Sequence, residues 1–79
     1  MKGEIFVVKH IKLTSAEDLR EFMNLAWQCE GEIGVHAPDG KIADAKSILG
    51  LISLDYNSPV MVVTENESFF GKIAQWVVE

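Results

Sequence analysis

The sequence predicts an α+β domain in which helices pack on one face of an antiparallel sheet. Three observations carry this. Runs of β-branched and aromatic residues alternate with stretches of helical apolar spacing, in the order β-α-β-β-α-β-α. A Pro38-Asp39-Gly40 turn joins the second and third β-prone runs so closely that they can only form an antiparallel hairpin. The length, 79 residues, allows one domain and a single small core.

The segment Glu4 to Ile11, rich in Ile, Phe and Val, reads as a first strand. A helix follows: Thr14 is a candidate cap, with Glu17 at capping-box spacing. Leu19, Phe22, Met23, Ala26 and Trp27 recur at helical spacing and form one apolar stripe; its residues, and Trp76 on the last helix, are expected in the core. Glu17, Asp18 and Glu21 place negative charge in the first turns, where the helix dipole favours it. Gly31 supplies a stop.

Glu32 to His36 alternates polar and apolar as a second strand, and Lys41 to Asp44 makes a short third. Ser47 opens a second helix running from Ile48 to about Leu54. Tyr56 to Pro59 is a loop. Val60 to Thr64 is the most β-prone run of the chain and forms the fourth strand. Asn66 or Ser68 caps a last helix that carries Phe69, Phe70, Ile73, Trp76 and Val77. Alternate residues of the sheet face the core and leave the other face wet.

Composition narrows the function classes. Apolar content of 48% and charged content of 24% are those of a folded globular protein. The net charge of −5 disfavours a nucleic-acid phosphate backbone and an anionic membrane surface, because no basic stripe is available to either. No run approaches the length of a membrane span and no signal-peptide pattern opens the chain, so the expected location is the cytosol. The single Cys29 cannot form an internal disulfide and reads as a packing residue. There is no Cys/His spacing for a metal, no phosphate-binding glycine loop and no serine-hydrolase elbow, so no cofactor, metal or catalytic set is assigned. A protein partner is the expected class.

The segment Gly40 to Leu54 adds a specific signal. It reads as a short strand, a polar turn and a compact apolar helix opened by serine. Its Lys46-Ser47-Ile48-Leu49-Gly50 closely resembles the second-helix region of HPr, the small phosphocarrier of bacterial sugar phosphotransferase systems. The element order is also that of this family, and the resemblance implies its open-faced β-sandwich: a four-stranded antiparallel sheet with three helices on one face. In HPr the first helix begins with Gly-x-His-Ala-Arg-Pro-Ala, whose histidine carries the phosphoryl group. Here Ser15 stands in the histidine position, Ala16 matches the alanine, and Glu17 and Asp18 replace the arginine and proline. Serine cannot carry a labile phosphoramidate, and paired carboxylates repel a phosphoryl dianion.

What the resemblance does carry over is Ser47, a regulatory phosphorylation site in the family and a helix cap on physical grounds. Ile48, Leu49, Leu51 and Ile52 cannot all face the sheet from one short helix, so together with Lys46 they are expected to form a docking surface. The implied partners are proteins: an HPr kinase, a transcription regulator, or other phosphotransferase components. The implied role is regulatory or adaptor. Two alternatives differ from it: a working phosphocarrier that uses His10, between Lys9 and Lys12, and a protein-binding module with the same fold and no phosphorylation. His36 beside the hairpin turn is a weaker site candidate than His10.

Overall fold

The computed structural model describes residues 6–78. Its elements are β1 (Val7–Ile11), α1 (Ala16–Trp27), β2 (Ile33–His36), β3 (Ile42–Asp44), α2 (Ile48–Ile52), β4 (Val60–Thr64), α3 (Ser68–Lys72) and a 3₁₀ turn (Ala74–Trp76). The four strands form one antiparallel sheet in the order β1-β4-β2-β3. The architecture is thus α+β, an open antiparallel sheet with three helices. Glu4 and Ile5, expected in the first strand, lie outside the described residues.

Strand alternation sorts the residues onto two faces. Ile11, Ile33, Val35, Ala43, Val60, Val62 and Thr64 are buried. Their neighbours Val8, His10, Gly34, His36, Ile42, Asp44, Met61 and Val63 lie on the opposite, open face, half or fully exposed. The hairpin forms as the turn residues dictate. Gly40 takes φ +95 and donates its N–H to the Ala37 carbonyl at 3.0 Å, while the Ala37 N–H reaches the Lys41 carbonyl at 2.8 Å. Asp39 accepts from the Lys41 N–H at 3.0 Å, holding the loop.

The helices close the buried face. Phe22 of α1 meets Phe69 edge-on at 5.7 Å and Trp76 at 6.2 Å, and these rings form the aromatic centre of the core. The last helix is not continuous. It stops at Lys72, Ile73 leaves helical geometry (φ −109, ψ 16), and the 3₁₀ turn follows. Phe69, Phe70, Ile73 and Trp76 are all buried across this break. Neither Asn66 nor Ser68 is the cap: Glu67 holds that position without a side-chain cap bond, and Asn66 Oδ1 accepts from the Ser68 N–H at 3.2 Å in the turn before it. The chain then runs extended beside β1: Val77 bridges to Ile11, and the Val78 N–H donates to the His10 carbonyl.

The α1 cap sits one residue later than expected. Ser15, in extended backbone (φ −149, ψ 162), accepts from the Asp18 N–H at 3.0 Å. Asp18 in turn accepts from the Thr14 hydroxyl at 3.1 Å. Thr14 and Ser15 are both competent caps, and the backbone chose the second.

Candidate functional site

Two regions stand out on the sequence reading: the start of α1, where a carrier histidine is expected in the resembled family, and the surface around α2.

At the start of α1, Ser15 is a helix cap with an exposed side chain. A shallow groove runs from here past Leu19 to Tyr56 and Asn57. The nearest cation, Lys12, is committed: its ammonium donates to the Tyr56 carbonyl at 2.6 Å. The acidic pair Glu17 and Asp18 occupies the first turn. Negative side chains at a helix N-terminus satisfy the dipole themselves and exclude a second anion. This end of the molecule is therefore built as a capped, acidic helix start. His10 lies within β1, on the open sheet face, paired with Met61.

Around α2 the geometry differs. Ser47, exposed and extended (φ −113, ψ 108), caps the helix by accepting from the Gly50 N–H at 3.3 Å. The helix has two sides. Leu51 is fully buried and Leu54 nearly so, and Gly50 passes so close to β3 that an added Cβ would lie 3.3 Å from the Ala43 Cβ. Ile48, Leu49 and Ile52 point outward, with Leu49 75% exposed. Leu51 is thus a core anchor and does not belong to the outward surface expected of it. Its seam with Leu54 follows the i, i+3 spacing of one helix side.

Lys46 also departs from expectation. Its ammonium donates to the Cys29 and Gly31 carbonyls at 2.8 and 3.0 Å, just beyond the end of α1. It ties the start of α2 to the end of α1, and so acts as a strut. Trp27 lies beside it, with Lys46 Nζ 6.0 Å from the ring centroid, at the edge of cation–π range. Trp27, expected in the core, is 62% exposed. The core direction of α1 is set by Phe22 and Ala26, and Trp27 lies five residues past Phe22, about 140° around the helix. Trp76 is buried as expected.

Tyr56 closes the far end of α2. Its hydroxyl donates to the Leu51 carbonyl at 2.5 Å, and burial raises its pKa to about 12. Among the described residues, no buried side-chain N or O lacks a hydrogen-bond partner, and no group of three or more His, Cys, Asp or Glu is placed to hold a metal ion. Among the described residues, no helix is long and apolar enough to cross a membrane.

The arrangement around α2 offers a docking surface: three outward apolar side chains on a short helix, a modifiable hydroxyl at its start, and an exposed tryptophan beyond the Lys46 strut. Comparison of the chain with protein-family models, with curated proteins and with solved structures finds no match.

Proposed function

We propose that the chain is an HPr-like regulatory or adaptor protein that docks a protein partner through α2, with Ser47 as the point at which phosphorylation adjusts that contact. The observation that carries this reading is the exposure of Ile48, Leu49 and Ile52 on a helix whose inward side is fully satisfied by Leu51. These three leave much of their apolar surface in water, and an outward apolar patch is a docking feature. The element order and the serine-opened second helix support the HPr resemblance.

Ser47 is accessible and already sits at the helix N-terminus. A phosphate there meets the first-turn amides and the positive end of the dipole. Lys46 contributes no ion pair while it holds the two carbonyls. The added charge therefore acts mainly on the partner, beside an otherwise apolar contact.

The phosphocarrier alternative lacks support at both positions. Ser15 has the wrong chemistry and acidic neighbours, and His10 lies within β1, paired with Met61, and not at a helix start where amides hold a phosphoryl group.

The test is binding of HPr-dependent regulators and an HPr kinase to the wild-type protein and to Leu49→Asp, with folding checked by thermal melt. The proposal expects one of these partners to bind the wild type and Leu49→Asp to bind at least tenfold more weakly with an unchanged melt. Equal binding by both proteins removes α2 as the contact, and no binding by any of them removes the HPr-like role.

A further inference from the structure

The open face of the sheet holds a donor set that the α2 reading does not use. His10 on β1 and His36 on β2 are both directly paired with Met61 on the strand between them, so the three side chains form one row across the sheet. The same three residues line a single cavity of about 390 Å³, rimmed by Pro38 and Pro59. All are half-buried. A histidine pair thus flanks a thioether on the open face.

We infer that this row is a binding site for a soft monovalent cation of the Cu(I) class, ligated by His10, Met61 and His36. Adjacent strands are about 4.8 Å apart, so the two histidines stand roughly 10 Å from each other with Met61 midway. Two imidazoles leaning inward, each with a metal–nitrogen bond of about 2 Å, span that gap above the thioether. Two imidazoles and a thioether select Cu(I) over the hard divalent ions, which take oxygen ligands absent from the set. Each imidazole ligates through one nitrogen and keeps the other for a hydrogen bond.

The site is not closed in the free protein. The His36 ring rests over Gly34, where an added Cβ would lie 3.5 Å from Nε2. Ligation needs that ring to swing toward Met61 about its side-chain torsions, a change between staggered wells open to a half-exposed residue. The row is independent of the α2 surface and stands or falls without it.

The experiment uses Ag(I), the redox-inert probe for Cu(I) sites, on full-length protein carrying Cys29→Ala, so that the only thiol does not compete. Methionine methyl and histidine ring resonances are followed by NMR through the titration. The inference expects the Met61 methyl to shift and saturate at one equivalent together with both histidine rings, while Met23 stays in place. Met61→Leu, close in volume, and His36→Ala each weaken binding at least tenfold with the amide spectrum otherwise preserved. An unmoved Met61 methyl, or an affinity unchanged in both variants, overturns it.

Discussion

Replacing Leu51 and Leu49 separately tests the division of α2 into an inward and an outward side. Leu51 is 0% exposed and Leu49 75% exposed, two residues apart on a five-residue helix. Truncating a buried leucine to alanine removes transfer energy and leaves a cavity, at a cost of about 2–5 kcal/mol. A chain of this length has a total stability of roughly 4–12 kcal/mol, so Leu51→Ala removes a large share. Taking about 3 kcal/mol, and about 4–8 °C per kcal/mol for a domain of this size, the melting temperature falls by roughly 10–25 °C. Leu49→Asp has little effect on stability: it removes little covered surface and places a carboxylate in the first turn, where the dipole favours it, so the change stays within about 0.5 kcal/mol. The assay is thermal and urea unfolding followed by tryptophan fluorescence and circular dichroism. A Leu51→Ala cost below about 1 kcal/mol, or a Leu49→Asp cost equal to it, refutes the assignment of the two sides.

Three further outcomes follow from named contacts. Ser47→Ala removes the acceptor for the Gly50 N–H and costs about 1 kcal/mol, read as a drop of several degrees in the melting temperature. Gly40→Ala forces a side chain onto φ +95 and costs roughly 1–2 kcal/mol, although nothing lies within 4 Å to clash with it; an unchanged melt would show that the turn relaxes. Tyr56, the single tyrosine, ionises near pH 12 in the folded protein against 10.0 for the free group. The folded state therefore holds its proton more tightly than the unfolded one. The stability this contributes is intact below pH 10.0 and is lost as pH rises toward about 12. Absorbance at the phenolate band reports the midpoint, and Tyr56→Phe abolishes the signal; a midpoint near 10 contradicts the buried hydroxyl.

The strands were the most legible part of the sequence. Val60–Thr64 matches its expected bounds, because a run of β-branched residues flanked by proline and polar loop residues has no competing reading. The Pro38-Asp39-Gly40 hairpin was legible for the same reason: its turn chemistry is local. The misreadings all depend on tertiary contacts. Trp27 fits an apolar stripe by spacing, but the stripe's direction is set by Phe22 and Ala26, and spacing alone does not fix which edge is left in water. The last helix fits one continuous pattern, yet the chain leaves helical geometry at Ile73 before Trp76 packs against Phe22.

At the site, exposure of Ile48, Leu49 and Ile52 was readable as a set, since a short helix cannot bury four large apolar side chains. That Leu51 is the inward one depends on where α2 lies over Ala43, a contact that glycine at position 50 makes close. Gly50 was the one local clue. Lys46 gave no signal of its strut role, because its partners are backbone carbonyls 15 and 17 residues away. The row of His10, Met61 and His36 was invisible for a related reason: its members come from three strands, and only the register of the sheet aligns them.

The most direct test of the central claim is the intact mass of the purified protein after incubation with ATP and an HPr serine kinase, followed by mapping of any modification, with Ser47→Ala as the control. The account predicts one added phosphate, on Ser47, absent from the Ser47→Ala protein. An unchanged mass, or phosphate transferred instead to His10 from phosphoenolpyruvate through enzyme I, contradicts it.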